Sequence, residues 1–234
     1  MSLIQLNDVL KIYTSKAGDV TAVDHVSLSI EAGEFTAIVG PSGCGKTTLL
    51  NAIGGLDRPD KGSIRIGHSD ITGMSDKALI DFRLNNIGFV FQDFNLIPVL
   101  TVFENVEYPL LMVQNWPKDE RRKRVLELLD AVGMADQVNK YPSQISGGQK
   151  QRVAVARALV TNAKLVLADE PTANLDRETA NRIINLMKRM RDEFQTTFIF
   201  STHDPKIVQN VEITFALEDG RFTNSDNSGG GSHV

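Results

Sequence analysis

Three features of this sequence predict an α/β fold built on a parallel sheet. Phe35 to Val39, Leu165 to Ala168 and Thr197 to Phe200 are short, largely apolar runs. Helical patterns separate them, and strands without polar alternation belong to sheets covered on both faces. A glycine-rich turn follows the first run and opens into a helical pattern at Lys46, the strand–turn–helix order of such folds.

The other elements follow in order. Ile4 to Ile30 holds short alternating runs such as Thr21 to Ile30, divided by the turn-like Lys16-Ala17-Gly18-Asp19. These predict antiparallel strands ahead of the parallel core. Asn95 to Ala135 differs in character, with Pro98, Pro109 and Pro117 and then a charged helical pattern. It predicts a helix-rich insert within the core. Asn224 to Val234 is polar and glycine-rich, as expected of a disordered tail or a linker remnant.

Composition bounds the partners. With 234 residues and 41% hydrophobic content, the chain can bury one substantial core, with or without a smaller lobe. A formal net charge of -4 gives no bulk pull toward nucleic acid or anionic lipid. Cys44 is the only cysteine, which rules out an internal disulfide and fits a reducing compartment. Met1 to Asp8 lacks the basic and apolar regions of a secretion signal. No stretch approaches the roughly 18 apolar residues of a membrane span, so a membrane role is expected to come from a partner.

Gly40 to Thr48 (GPSGCGKTT) matches the phosphate-loop pattern at Gly40, Gly45, Lys46 and Thr47. Glycines let backbone amides close around a polyphosphate, and the following helix adds its positive N-terminal end. Lys46 supplies charge for the outer phosphates, and the Thr47 hydroxyl suits Mg²⁺. Pro41, Ser42, Gly43, Cys44 and Thr48 complete the nucleotide-binding set. The motif that reads guanine is missing, which favours ATP. Tyr13 is placed either to stack on an adenine ring or simply to pack at a strand end. Cys44 is either a small filler or a reactive thiol activated by the surrounding amides and Lys46.

Leu165 to Pro171 (LVLADEP) ends a buried strand in two carboxylates. Asp169 can hold Mg²⁺ directly or through water, and Glu170 can orient or deprotonate an attacking water. His203, just past another strand, suits contact with the γ-phosphate or the water. Gln92, in Phe89 to Asp93, lies at a third strand end, where its amide suits Mg²⁺ ligation or γ-phosphate sensing.

Ile145 to Gln149 (ISGGQ) leads into a helix that is apolar over most of its surface. It is either an ordinary N-cap or a second anion site. One phosphate loop already serves one ATP. A second anion loop makes most sense if it completes the site of another copy through a two-fold interface.

These residues together resemble the nucleotide-binding domain of ABC transporters, from about Leu3 to Phe222. GPSGCGKTT resembles the Walker A motif, ISGGQ the signature and LVLADEP the Walker B motif. Gln92 matches the Q-loop, Ala173 to Asp176 the D-loop, His203 the switch histidine and Tyr13 the adenine-stacking aromatic. The resemblance implies a P-loop NTPase with a RecA-like core, an N-terminal antiparallel β-subdomain and an inserted α-helical subdomain. One ABC ATPase domain would span residues 1–223. Its core and β-subdomain would take residues 1–92 and 160–223, and the helical subdomain residues 93–159. It implies Mg²⁺ held by Thr47, Gln92 and Asp169, with catalysis by Glu170, His203, Lys46 and Gln92. It also implies a homodimer with two ATPs between copies, in which Ser146, Gly147, Gly148, Gln149 and Asp176 act in trans.

Membrane-spanning permease subunits are the implied partners, at the cytoplasmic face of the inner membrane. Gln92 to Pro98 and the PTANLD stretch are most similar to ATPases of the lipoprotein-releasing and macrolide-exporting type. Cell-division ATPases are close relatives, and an importer subunit is the alternative. Lys140 to Ile145 lacks the longer motif typical of fused exporters. A DNA-maintenance ATPase would carry coiled coils or zinc modules, and a small-molecule kinase would need neither ISGGQ nor the D-loop.

Two further stretches carry expectations. Phe94 to Val113 is expected to pack inside the helical lobe, leaving Asn95 to Leu100 as the surface for a partner's coupling helix. Arg121 to Arg124 (RRKR) is expected to be the solvated face of a helix rather than a nucleic-acid patch.

Overall fold

The computed structural model describes residues 2–16, 18–113, 116–204, 208–209 and 211–223. In chain order the elements begin with β1 (Ser2–Ser15), β2 (Gly18–Glu31), β3 (Phe35–Val39) and α1 (Lys46–Ile53). There follow β4 (Lys61–Ile66), β5 (Ser69–Asp70), α2 (Asp76–Asn86), β6 (Ile87–Val90), α3 (Val102–Val113) and α4 (Lys118–Ala131). Next are α5 (Gly147–Leu159), β7 (Leu165–Ala168) and α6 (Arg177–Phe194). The run closes with β8 (Thr197–Thr202), β9 (Ile213–Glu218) and β10 (Arg221–Phe222). The chain divides into two compact units, Met1–Met74 with Ile199–Val234, and Ser75–Phe198, so the division falls within β8.

The first unit opens with the expected antiparallel strands. β1 and β2 pair from Ser2 opposite Glu31 to Ser15 opposite Gly18. Gly18 and Asp19 therefore already belong to β2 rather than to the connection, because Gly18 at φ 121 lets pairing start at once. Ala17 lies outside the described residues. Asp8 and His25, both left-handed at φ 53 and 52, mark a bulge in this ladder. The four strands run in the order β2-β1-β4-β5, with Ile4, Leu6, Val9, Val26, Ile30 and Ile64 buried.

The same unit holds β3 parallel to β9, with β10 antiparallel to β9. Phe35 of β3 meets Phe200 of β8 with ring centroids 5.2 Å apart. All four residues from Phe35 to Ile38 are buried, as expected of a strand covered on both faces.

In the second unit β6 runs parallel to β7, from Ile87 beside Leu165 to Val90 beside Ala168. The approach of α5 to β6 is close enough that a Cβ on Gly88 would stand 2.1 Å from the Ala158 carbonyl. α5 is buried along most of its length, including Gln151, Val153, Val155 and Leu159. α6 buries one stripe, Ala180, Ile183, Ile184, Met187 and Met190, at helical spacing. The helix-rich insert is present as α3 and α4. α3 starts on a Thr101–Glu104 capping box and keeps Pro109 in its interior.

The basic run differs from expectation. Arg122 and Lys123 are exposed, but Arg121 and Arg124 turn inward. Arg121 pairs with Glu107 at 3.0 Å. Arg124 donates to the Leu159 carbonyl at 3.1 Å and lies 4.9 Å from the Phe194 ring centre. Helical spacing puts positions 121 and 124 on one face, beside Val125 and Leu128, so those two arginines bind α4 to its neighbours. Asn224 to Val234, read as a tail, lie outside the described residues. Among the described residues no helix is long and apolar enough to cross a membrane.

Candidate nucleotide site

β3 ends at Val39, and the loop that follows turns on glycines. Gly43 and Gly45 are left-handed at φ 81 and 106. A Cβ on Gly45 would lie 2.1 Å from the Ala22 carbonyl, and one on Gly40 2.1 Å from the Leu217 carbonyl. Two separate constraints, conformation and space, thus demand glycine at the expected positions. α1 begins at Lys46 with no side-chain cap, leaving its first amides to the loop. Lys46 is buried, and its ammonium donates to the carbonyls of Gly40 at 2.9 Å and Pro41 at 3.0 Å. Thr47 is exposed at the helix start. The Cys44 thiol is buried, and a Cβ on Gly40 would stand 2.7 Å from its sulfur. That burial favours the filler reading and works against ready modification.

Tyr13, near the end of β1, is held by residues that sequence reasoning did not single out. Its hydroxyl donates to Asp57 Oδ2 at 2.6 Å, and Lys11 Nζ reaches Asp57 Oδ1 at 2.9 Å. Also in this unit, His203 is exposed just past β8.

The second unit brings the remaining residues to the ends of its two paired strands. The Asp169 amide donates to the Val90 carbonyl at 2.9 Å, so Asp169 and Gln92 leave from adjacent strand ends. Glu170 is left-handed at φ 45, a conformation that costs a non-glycine residue energy and collects at working sites. Its carbonyl accepts from Ala173 at 3.1 Å, closing the turn toward the D-loop.

The segment after Gln92 is clamped from two sides. Asn174 Nδ2 donates to the Gln92 carbonyl at 3.1 Å and to Asp93 Oδ1 at 3.0 Å. Arg157 of α5 donates to the carbonyls of Phe94 and Asn95, both left-handed at φ 62 and 47. Burial alone lowers the Arg157 pKa, since carbonyls rather than a carboxylate receive it. Asn105 fixes the next stretch, accepting from Ile97 at 2.7 Å and donating to the Leu100 carbonyl at 3.0 Å. Val99, at the tip of this stretch, is 79% exposed.

Ser146 caps α5. Its hydroxyl accepts from the Gln149 amide at 3.3 Å, and the Gln149 side chain accepts from the Ser146 amide at 2.9 Å. The ordinary capping reading of ISGGQ is therefore satisfied within the chain. Gly147 and Gly148 sit in the first turn, close to Leu175 and Thr179 respectively. Asp176 caps α6 by accepting from Thr179 at 3.0 Å, which lowers its pKa. Asn174 sits in the D-loop stretch and Arg157 in the helix after ISGGQ, but no local pattern announces their partners.

A strand, a glycine loop and a helix start built for a polyphosphate, with an acidic strand end in the same chain, define a P-loop nucleotide hydrolase. A model of the ABC transporter family matches residues 23–173. The ABC transporter ATP-binding protein YvrO of Bacillus subtilis is 43% identical over 232 residues, 99% of this chain and 100% of that protein. The methionine import ATP-binding protein MetN 1 of Bacillus thuringiensis is 46% identical over 209 residues, 89% of this chain and 61% of that protein. A dimeric, post-hydrolysis structure of the ATP-binding cassette MJ0796 with ADP and Pi superimposes with a TM-score of 0.86 at 42% identity. That match covers 94% of this chain and 96% of the cassette. The chain belongs to the ABC transporter family as an ATP-binding subunit, and it is an ATPase.

Proposed function

We propose that this ATPase works as two copies with ATP between them, powering separate membrane-spanning subunits at the cytoplasmic face of the membrane. The observation that carries the reading is the α5 start. Ser146 completes its own cap, yet Gly147 and Gly148 leave a bare, partly exposed helix N-terminus. One phosphate loop already accounts for one nucleotide, so the second N-terminus is assigned to a partner's ATP, with Gln149 and Asp176 beside it.

Within each site, Lys46 and the loop amides neutralise the outer phosphates, and Tyr13 stacks on the adenine. Glu170 orients a water and accepts its proton as the water oxygen bonds to the γ-phosphorus and the bridging oxygen leaves with ADP. His203 and Gln92 contact the γ-phosphate side. Thr47, Gln92 and Asp169 offer a hydroxyl, an amide and a carboxylate, hard oxygen donors suited to Mg²⁺. Among the described residues no cluster of three acids, histidines or cysteines could hold a metal unaided. Thr47, Gln92 and Asp169 would hold such an ion, which would supply positive charge against that of the phosphates. Residues 93–159 act as the helical subdomain that carries the signature.

The dimer is tested with Glu170→Gln, which should cut turnover at least about 10²-fold. It should run as a dimer with ATP and a monomer with ADP in size-exclusion chromatography with light scattering. A variant that stays monomeric with ATP overturns the two-copy reading.

We assign the partner to the lipoprotein-releasing and macrolide-exporting type, on Gln92 to Pro98 and the PTANLD stretch. Import is the second reading, favoured by relatives such as MetN 1 at 46% identity. Purification from native membranes in mild detergent separates them. A partner with few spans and a large extracytoplasmic domain supports the first, and a many-span partner with a solute-binding protein supports the second. Recovery without any membrane protein, with ATPase activity intact, overturns both.

A further inference from the structure

Tyr13 lies near the end of an edge hairpin, where an aromatic ring would ordinarily sample several rotamers. It is instead fixed at its far end. The phenol donates to Asp57 Oδ2 at 2.6 Å, and Asp57 belongs to the turn that ends the phosphate-loop helix, its amide donating to the Asn51 carbonyl at 3.3 Å. Lys11 occupies the other carboxylate oxygen at 2.9 Å and also donates to the Arg58 carbonyl at 2.8 Å. Its ammonium lies 5.2 Å from the Tyr13 ring centre, within cation–π range. The strand itself is pinned to the same turn, with the Ile12 amide donating to Asp60 at 2.6 Å and the Asp60 amide to the Leu10 carbonyl at 2.8 Å.

The ring is thus tethered to the helix that opens on the phosphate loop. Lys11 is nearly covered and Asp57 is partly covered, while Tyr13 remains 42% exposed. The tether is buried more than the surface it presents. Ligand contact alone does not require this arrangement, whereas a ring set in advance for stacking does, because the cost of ordering it is met in the free protein.

We propose that Asp57 and Lys11 are positioning residues for nucleotide binding, holding the Tyr13 ring as a pre-set stacking face for the base of ATP. The proposal rests on the reading of Tyr13 as the adenine-stacking residue. The protonation balance is consistent with the geometry. Burial and the Asp57 hydrogen bond raise the Tyr13 pKa, against a contact with Thr48 that lowers it, so the phenol stays a donor. Burial opposes the charges of Asp57 and Lys11, but their hydrogen bonds and the attraction between opposite charges together outweigh it, lowering the first pKa and raising the second.

The test compares two probes by calorimetry, ATP and inorganic tripolyphosphate, on the full chain. Tyr13→Phe and Asp57→Ala should each weaken ATP about 5-fold, the equivalent of one ordinary hydrogen bond. Tripolyphosphate affinity should stay unchanged, and the double variant should lose no more than either single one. Lys11→Met should behave in the same direction. Equal losses for both probes would mean that Asp57 merely supports α1, and would overturn the proposal. Should Asp57→Ala not fold, Tyr13→Phe, which removes one hydroxyl, carries the test alone. Tyr13→Ala separates the two levels. If it weakens ATP while Tyr13→Phe and Asp57→Ala do not, the positioning role is wrong and stacking stands. If Tyr13→Ala leaves the ratio of the two affinities untouched, stacking itself is wrong and the proposal falls with it.

Discussion

The guanidinium of Arg157 donates to the carbonyl of Phe94 at 2.8 Å, across 63 positions of sequence, and holds that residue left-handed at φ 62. Asn95 is held the same way at φ 47. A largely enclosed cation with no carboxylate partner among the described residues is costly. Here it stabilises two unfavourable backbone conformations directly after Gln92 and joins that segment to the signature helix α5.

Arg157→Gln should therefore destabilise the protein by about 1–3 kcal/mol, the loss expected when two charge-assisted bonds, one partly buried and one exposed, are removed. Arg157→Lys should recover little, since one ammonium does not reproduce the two-carbonyl fork. Urea unfolding of the three proteins checks this. A rescue by lysine would show that charge alone matters.

Asn174 makes a second, weaker clamp on the same segment. Because it is exposed, Asn174→Ala should change stability by no more than about 1 kcal/mol. Loosening the Gln92 carbonyl should still lower kcat by between about 5- and 100-fold, the range expected from misplacing a positioning group. The ATP KM should hold. Steady-state kinetics beside an unfolding curve distinguishes this from a folding defect.

The two signature glycines are predicted to differ. A Cβ on Gly147 would meet its nearest neighbour, Leu175, at an ordinary 3.5 Å, whereas one on Gly148 would lie 2.5 Å from Thr179. Gly148→Ala should cost about 1–3 kcal/mol through overpacking, less if Thr179 rotates away. Gly147→Ala should keep or slightly raise stability, because alanine is the better helix former by up to about 1 kcal/mol. In the Glu170→Gln background, Gly147→Ala should nonetheless lose ATP-driven dimerisation. Thermal melts and light scattering give the two readouts, and an unimpaired Gly147→Ala dimer would move the trans contact elsewhere.

The Asp57 cluster sets a pH window. The Asp57 pKa is lowered, so its contribution is present above the ordinary value of about 3.9 and fades as pH falls through the folded one. The Lys11 and Tyr13 values are raised. Their contributions are present below the ordinary values of about 10 and are lost as pH rises through the folded ones. The stability difference between wild type and Asp57→Ala should be flat from about pH 5 to 9 and narrow on either side. Unfolding midpoints measured between these limits and beyond them check the shape. A difference that grows toward acid would contradict the assignment.

Much of the site was legible because its signals are local. The turn after β3 needs left-handed and space-restricted positions, and glycine at 40, 43 and 45 states that need in the sequence. Ser146 followed three residues later by Gln149 announces a helix start, and the continuous apolar run into Asp169 announces a covered strand. The basic run shows the limit. Charge and helical pattern gave a solvated face, but which arginines turn inward depends on Glu107 and Phe194, fourteen positions away for the first and far along the chain for the second.

What the sequence alone determined is the strand–loop–helix cradle, the acidic strand end, the capped signature helix and the family their motifs resemble. The first three follow from backbone conformation or periodicity within a few residues, and the family from the resemblance of those motifs. Only the tertiary structure decided that Asp57 holds Tyr13, that Arg157 and Asn174 clamp the segment after Gln92, and that Cys44 is enclosed. Those partners are separated by 44, 63 and 82 positions for the first three residues. Their pairing is set by how strands and helices pack, and a hydrogen bond formed by packing leaves no local pattern in the chain.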